Sequence, residues 1–264
     1  MILPNRLSGH VAIVTGAAGD LGLAIVERLL DAGMRVALLD LDTRALSAHP
    51  PTGSALPART EGDARQSRTL LLPGCDIRDE EQVVAAVAQV VSHFGSIRVL
   101  VNNAAMVTPK SPVADLPVSA WRDTLDVNLT GAWLMTRACW PHLIGGGGGT
   151  VLNIASQMGH VGSPGGGAYG VSKAGLIALA RAIAVDGAPH GIRGLSLSPG
   201  AVMTSRLTNR YGNEQAVRAA LAPKYLAGEI GSPDEVAQAA WFLLNGGSFL
   251  NGCDLLVDGG YTTT

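Results

Sequence analysis

The sequence is poor in charged and aromatic residues. Charged residues make up 15% of the 264 positions, aromatic residues make up 4%, and the formal net charge is −2. Proteins that bind nucleic acid present clusters of Lys and Arg together with aromatic side chains on which bases stack. The sequence contains no basic block of this kind. These shortages argue against nucleic acid as a partner.

Cysteines and long apolar runs are also scarce. Cys75, Cys139 and Cys253 are far apart and match neither a metal-ligand spacing nor a disulfide framework, so we predict structural thiols. No cluster of His, Cys and carboxylates in the sequence predicts a metal site. The first residues, MILPNRLSGH, lack the basic start and apolar core of a signal peptide. No window approaches the roughly 18 apolar residues of a membrane span. We therefore expect a cytoplasmic protein without a membrane partner.

Hydrophobic residues, in contrast, make up 47% of the sequence, which suits a sheet covered by helices on both faces. Short β-rich runs alternate with amphipathic segments such as DEEQVVAAVAQVVSHFG. This alternation predicts an α/β fold in one domain over residues 1–264, with a Rossmann-type, doubly wound parallel sheet of about seven strands and helices on both faces. The strand candidates are HVAIVTG, MRVALLD, TLLLPGCD, IRVLVNNA, GTVLNIAS, IRGLSLSPG and CDLLVDGG.

Two segments interrupt this alternation. Residues 48–67 are rich in Pro, Ser, Gly and charge, which predicts an exposed excursion. Gly145 to Gly149 is a run of five glycines and predicts a flexible turn before the strand at Val151.

The stretch AIVTGAAGDLGLAIVERLLDAG has the pattern of a phosphate-binding turn between a strand and a helix. It supplies Gly16 and Gly22 but carries Asp20 where the middle glycine is expected. We interpret Asp20 as the N-cap of the following helix, with its carboxylate accepting from the first-turn amides. The alternative is a repulsive contact between Asp20 and the diphosphate of a nucleotide.

Asp40 ends the second predicted strand, 18 residues after Gly22. A carboxylate at this position accepts hydrogen bonds from both ribose hydroxyls of an adenosine and repels a 2′-phosphate, which favours NAD over NADP. Arg44 lies close enough in the sequence to keep an NADP-dependent reductase as the alternative.

Tyr169 and Lys173 are four residues apart in a predicted helix that runs to about Ala184, so they share one helix face. Ser156 ends the fifth predicted strand, 13 residues before Tyr169. The glycine-rich segment between them can fold back and bring the two hydroxyls together. The Tyr-x-x-x-Lys pair alone is weak evidence, and Ser156 makes the pattern specific.

With these residues in place, the chain resembles the short-chain dehydrogenase/reductase family, in its single-domain type, over nearly the whole length. Ala105 departs from the family's Asn-Asn-Ala-Gly element, where glycine is usual, and the span from Asp40 to Asp76 is longer than is common. Further family elements correspond to Asn102, Asn103, Ala104, Asn128, Pro199, Gly200 and Thr204.

The resemblance implies an NAD-dependent oxidoreductase with Asn128, Ser156, Tyr169 and Lys173 as its catalytic residues. Tyr169 would be the general acid or base, with its pKa lowered by Lys173 and the positive nicotinamide ring. Ser156 would donate to the substrate oxygen, and Asn128 would position a water near Lys173. The implied cofactor contacts are Gly16, Asp20, Leu21, Gly22, Asp40, Asp76, Ile77, Asn103, Ala104, Tyr169, Lys173, Pro199, Gly200, Val202 and Thr204.

The expected substrate is a small alcohol or ketone, such as a polyol, a sugar or a cyclic alcohol. Its predicted contacts are Ser156, Gln157, Met158, His160 and Tyr169, with Met106 in the same pocket, and residues at about 203–231 resemble the family's substrate lid. The resemblance also suggests a homotetramer packed through the helix near Ala120 to Trp140 and the helix carrying Tyr169.

Two other functions stay open at this point. A nucleotide-sugar epimerase or dehydratase uses the same Tyr and Lys, but such chains usually add a substrate domain, and only 60 residues follow Thr204. A noncatalytic NAD-binding regulator would be favoured if Asp20 abolished cofactor binding.

Overall fold

The computed structural model describes residues 5–42 and 68–263. Seven parallel strands form one sheet, in the order β3-β2-β1-β4-β5-β6-β7. All seven predicted strands are confirmed, while the excursion at 48–67 and Arg44 lie outside the described residues. The strands are β1 (Val11–Thr15), β2 (Arg35–Asp40), β3 (Thr69–Pro73), β4 (Val99–Asn102), β5 (Gly149–Ile154), β6 (Ile192–Pro199) and β7 (Asp254–Val257).

Helices cover both faces of the sheet. A π-helical turn, Asp126–Thr130, joins the third helix to the fourth. The α-helices are α1 (Asp20–Asp31), α2 (Glu80–Phe94), α3 (Val118–Leu125), α4 (Gly131–Gly145), α5 (Gly167–Gly187), α6 (Ser205–Tyr211), α7 (Glu214–Leu221) and α8 (Pro233–Asn245).

Two apolar clusters form the core, one on each face of the sheet. Successive strand residues point to opposite faces. Val14 of β1 therefore joins the cluster that contains α1 and α8, whereas Ile13 joins the cluster that contains α2 and α4. Because both faces are covered, β1, β4 and β5 are buried along their whole length. This accounts for continuous apolar runs in place of an alternating pattern.

The glycine run forms the turn between α4 and β5, as predicted. Gly147 and Gly148 have φ angles of 75° and 102°, which favour glycine. A Cβ on Gly148 would lie 2.3 Å from the carbonyl oxygen of Gly191, so the turn also needs glycine for close packing.

The apolar character of α5 departs from the sequence expectation about membranes. The segment Gly167–His190, which comprises α5 and the turn after it, is long and apolar enough to cross a membrane by length and composition alone. Core helices pass the same test, and 44% of its apolar window is buried inside the protein. The helix packs along β6 and carries Tyr169 and Lys173.

The three cysteines are free thiols. Cys75 and Cys139 are buried, and Cys253 is half-buried. Burial raises the pKa of Cys139 to about 12, which leaves it as an unreactive thiol in the core, as the sequence predicts.

Candidate active site

A cavity of about 1010 Å³ opens at the carboxyl ends of the strands. In a doubly wound sheet this edge collects the residues that follow each strand. The cavity is lined by all fifteen residues predicted to contact the cofactor and by Ser156, Gln157, Met158 and Met106 from the predicted substrate side.

The glycine turn after β1 is held against the end of β4. Asn103 Nδ2 donates to the carbonyl oxygens of Thr15 (3.0 Å) and Gly16 (2.9 Å). A Cβ on Gly22 would lie 2.2 Å from the Gly16 carbonyl oxygen, so a side chain at Gly22 would disrupt the turn. Asn103 therefore shapes the predicted phosphate-binding turn from the neighbouring strand.

Asp20 does not cap α1, and that prediction is wrong. The N-cap is Gly19, and Asp20 is the first residue of the helix. Asp20 Oδ2 accepts hydrogen bonds from Ser205 Oγ (2.7 Å) and from Ser205 N (3.2 Å) at the start of α6. The loop after β6 brings these donors to the carboxylate, which the sequence around Asp20 could not reveal. The carboxylate still lies beside the helix N-terminus, where a negative charge is favourable.

Asp40 has a fixed carboxylate at the end of β2. Its Oδ2 accepts from the backbone N of Ala18 (2.9 Å), and its Oδ1 accepts from the backbone N of Asp42 (3.2 Å). The first of these bonds ties the carboxylate to the glycine turn. Asp40 therefore lies where the sequence predicts an adenosine ribose.

Ser156, Tyr169 and Lys173 come together as predicted. Ser156 follows β5, and its hydroxyl is hydrogen-bonded to the Tyr169 side chain. Lys173 Nζ lies 5.6 Å from the centre of the Tyr169 ring and donates to the carbonyl oxygen of Ile154 (2.7 Å). These side chains place a hydroxyl, a phenol and an amine close together in the cavity.

Burial dominates the electrostatics of this group. Burial raises the pKa of Tyr169, while the Ser156 hydrogen bond and the charge of Arg206 oppose that rise. Burial, together with a smaller contribution from the charge of Arg206, lowers the pKa of Lys173 to about 7. In the protein without cofactor the pKa of Tyr169 is therefore raised, whereas the sequence analysis expected it to be lowered by Lys173 and the nicotinamide ring.

Asn128 lies in the π-helical turn and is fully buried. Its Nδ2 donates to the Met106 carbonyl oxygen (3.0 Å) and to Ser172 Oγ (3.0 Å), and its Oδ1 accepts from Met106 N (2.8 Å). Ser172 Oγ in turn donates to the Tyr169 carbonyl oxygen (2.7 Å). Asn128 thus joins the loop after β4 to α5, and its catalytic role stays a prediction. The sequence analysis did not identify Ser172. Its sequence position directly before Lys173 was the feature that could have indicated it.

Gln157 and His160 were both predicted to contact substrate, but they point to different places. Gln157 is buried at the cavity, and its Nε2 donates to Tyr225 Oη (3.1 Å), which also accepts from Ala201 N (2.8 Å). His160 is not among the described residues that line the cavity. Its Nε2 lies 2.7 Å from Asp254 Oδ2 on β7. His160 follows the short turn Gln157–Gly159 and pairs with the edge strand β7, so its contact with a substrate stays a prediction.

The predicted lid segment, residues 203–231, contains α6 and α7. Val217, Tyr225 and Ile230 form an apolar cluster of its own there. Arg206, Arg210 and Tyr211 of α6 line the cavity, although the sequence alone did not single them out. Movement of this segment over a substrate stays a prediction.

The arrangement defines a class of protein: an oxidoreductase of the dinucleotide-binding α/β type with a Ser, Tyr and Lys site. A family model described as enoyl-(acyl carrier protein) reductase matches residues 16–262. D-threitol dehydrogenase of Mycolicibacterium smegmatis is 35% identical over 258 residues, which cover 97% of this chain and 94% of that protein.

Solved structures give the same result. A short-chain type dehydrogenase/reductase from Mycobacterium marinum superimposes with a TM-score of 0.86 at 29% identity, covering 98% of both chains. An NAD⁺-bound xylitol dehydrogenase gives a TM-score of 0.84 at 31% identity, covering 97% of this chain and 100% of that one. The chain belongs to the short-chain dehydrogenase/reductase family.

The family binds a nicotinamide cofactor, and the residues of this chain fit one. The glycine turn leaves the backbone open at the cavity, and Asp40 is fixed beside it. Tyr169 and Lys173 lie at the far side of the same cavity. Gly16, Gly22 and Asp40 would hold the adenosine diphosphate part, and Lys173 would hold the nicotinamide ribose.

Proposed function

We propose that the protein oxidises a small alcohol, or reduces the corresponding ketone, with NAD(H). The observation that carries this proposal is that Ser156, Tyr169 and Lys173 meet in the cavity that also contains the glycine turn and Asp40. Bound NAD supplies the hydride acceptor for alcohol oxidation. The chain's own residues move the proton and orient the reacting carbon.

Each of the three residues has a distinct role in this proposal. The Ser156 hydroxyl donates to the substrate oxygen and holds the carbinol carbon toward the cofactor. Tyr169 takes the hydroxyl proton in oxidation and returns it in reduction. Lys173 uses one N–H group for the carbonyl oxygen of Ile154 and has others left to hold the nicotinamide ribose. Its positive charge favours the phenolate form of Tyr169.

The proposed substrates are polyols, sugars or cyclic alcohols. Two of the similar proteins are named for polyols, D-threitol and xylitol. The cavity offers the polar side chain of Gln157 beside the apolar side chains of Met106 and Met158. Such a wall accommodates a molecule with both hydroxyl groups and a carbon skeleton.

We infer that NAD is preferred to NADP by at least about tenfold, because the Asp40 carboxylate would face a 2′-phosphate. The similar xylitol dehydrogenase is described as NAD⁺-bound. Titration calorimetry with both cofactors measures the preference, and Asp40→Ala should narrow it chiefly by tightening NADP binding. Equal affinities for the unmodified enzyme would support the NADP-dependent alternative.

A panel of alcohols, ketones and one enoyl thioester tests the reaction, with the absorbance of the reduced nicotinamide as the readout. The enoyl thioester is included because of the description of the matching family model. Turnover of alcohols that falls about 100-fold or more in Tyr169→Phe, with NAD affinity retained, supports the proposal. NAD binding without turnover of any compound would instead support the noncatalytic regulator.

We also propose a cytoplasmic homotetramer that takes neither nucleic acid nor membrane as a partner. The three free thiols suit a reducing compartment. Exposed apolar side chains on α4 and α5, including Trp133 and Val185, suit subunit packing.

A further inference from the structure

The charged residues that line the cavity separate by sign. The carboxylates lie on the side formed by the turns after β1, β2 and β3, and the cations other than Arg78 and Lys173 lie on the loop after β4 and on the lid segment. Among the described residues lining that second side, no carboxylate accompanies the cations. The carboxylates are Asp20, Asp40, Asp42 and Asp76, and the cations are Lys110, Arg206, Arg210 and Lys224.

Arg206 is the cation of this set that acts on the catalytic group. Its positive charge lowers the pKa of both Tyr169 and Lys173, which places it within electrostatic reach of the reacting atoms. Its side chain makes no hydrogen bond or ion pair within residues 5–42 and 68–263. Arg78, in contrast, is paired with Asp76 at 2.6 Å, and Arg210 stacks on Tyr211 at 5.7 Å.

The position of Arg206 is set by its neighbour. Ser205 donates two hydrogen bonds to Asp20 Oδ2, from Oγ at 2.7 Å and from N at 3.2 Å. These bonds fix the first turn of α6 against the start of α1. The backbone next to Arg206 is therefore held in place, and its side chain lines the cavity.

Arg206 is exposed, and its charge acts on the buried Lys173. Lys173 is buried, and a second cation nearby further disfavours its charged form. An anion placed between Arg206 and the catalytic group would reverse that repulsion. Arginine also binds carboxylates through two parallel hydrogen bonds, which fixes the orientation of the bound group.

Building on the proposed function, we propose that Arg206 binds a carboxylate or a similar oxyanion on the substrate, so that the enzyme prefers hydroxy acids to uncharged alcohols. The diphosphate of the cofactor is the other source of an anion in this cavity. The experiment must therefore measure substrate and cofactor separately.

The test compares matched pairs of substrates. Each pair is a hydroxy acid and its primary amide, taken from β- and γ-hydroxy acids and a hydroxycyclohexanecarboxylate, with NAD at saturation. We expect the acid of the preferred pair to exceed its amide in kcat/KM. Arg206→Gln should lower kcat/KM for that acid by about 10- to 100-fold, the range of one charged hydrogen bond, and should lower it much less for the amide.

Arg218→Gln is the control, because Arg218 is an exposed arginine on α7 that does not line the described cavity. Arg218→Gln should leave kcat/KM unchanged for both the acid and the amide. A pH profile with the amide adds a readout that a purely structural role would not move. Because Arg206 lowers the pKa of Tyr169, Arg206→Gln should shift the rising limb of alcohol oxidation to higher pH.

Several outcomes would overturn the inference. Equal losses on acid and amide would remove Arg206 from substrate recognition, and an unmoved pH limb would overturn the premise that its charge reaches Tyr169. A weaker Kd for NAD in Arg206→Gln would assign the residue to the cofactor diphosphate. Preference of the unmodified enzyme for amides or polyols would refute the inference and leave the proposed function standing, whereas no NAD-linked turnover of any alcohol would refute both.

Discussion

Lys173 is a buried cation held by one hydrogen bond to a backbone carbonyl, that of Ile154. Its pKa is lowered to about 7 from 10.5 because burial disfavours the charged ammonium. The unfolded chain therefore binds more protons than the folded protein between these two values. By linkage, the cost of burying Lys173 is largest below pH 7 and declines as the pH rises toward 10.5.

Replacing Lys173 by Met should consequently change stability in a pH-dependent way. Met removes the ammonium and leaves Ile154 without this donor. The free energy of unfolding of Lys173→Met minus that of the unmodified protein should be larger at pH 6 than at pH 9, and this difference should shrink by about 2 kcal/mol over the range. Denaturant unfolding of the cofactor-free protein at both pH values measures the change.

Lys110→Met serves as the control for this experiment, because Lys110 is exposed and its replacement should not give the same dependence. A difference between Lys173→Met and the unmodified protein that is constant from pH 6 to pH 9 would mean that Lys173 stays charged in the folded protein.

Site residues that lie at a recognisable spacing in the sequence could be predicted. Site residues that only the folding of the chain brings to the cavity could not. Tyr169 and Lys173 share a helix face, and Ser156 follows a recognisable strand. Arg206 and Tyr225 reach the same cavity through a segment whose path depends on packing after β6. The pairing of His160 with Asp254 on β7 also depends on the fold, because the two residues are distant in the sequence.

Between elements, the contact of Asp20 with Ser205 links α1 directly to α6. It connects the glycine turn with the segment that carries Arg206. Loss of this link should therefore allow the start of α6 to open locally more often.

Two substitutions at Asp20 separate its charge from its hydrogen bonds. Asp20→Asn removes the charge and keeps an acceptor for Ser205, whereas Asp20→Gly removes both. We expect Asp20→Gly to lose about 0.5–1 kcal/mol of stability and Asp20→Asn to lose less. Hydrogen exchange of the α6 amides should increase in Asp20→Gly and change little in Asp20→Asn.

The same variants test whether Asp20 repels the cofactor. Because its Oδ2 is occupied by two donors, we expect the Kd for NAD to change little in Asp20→Asn at both low and high ionic strength. If Asp20→Asn instead bound NAD several-fold more tightly, and more so at low salt, the carboxylate would have to face the diphosphate.

The elements themselves were predictable where one local rule decided them. Runs rich in Val, Leu and Ile predicted all seven strands, and Asp79 caps α2 by accepting hydrogen bonds from Glu81 N and Gln82 N. The π-helical turn between α3 and α4 was not anticipated. Its position follows from Asn128, which is tied to the Met106 loop by contacts distant in the sequence.

For the whole molecule, α4 and α5 both expose large apolar side chains to solvent. Val171 and Val185 are 49% and 73% exposed at the two ends of α5, and Trp133 is 45% exposed on α4. The α5 residues between the two valines on the same face are Ala174, Ala178 and Ala182. An apolar face of this length on a surface helix suits close packing against another subunit.

We therefore predict a homotetramer of 27.1 kDa subunits in which these two helices pack against a neighbouring subunit. Val185→Asp would bury an unpaired carboxylate in that contact, at a cost of several kcal/mol per site, so it should dissociate the tetramer at micromolar concentration. Val84→Asp is the matched control, because Val84 is 53% exposed on α2, which is not one of the two helices in the proposed contact, and it should leave the assembly intact. Light scattering on the unmodified protein and both variants measures the mass directly. A mass of one subunit for the unmodified protein would refute the tetramer, and a tetramer that survives Val185→Asp but not Val84→Asp would move the contact to α2.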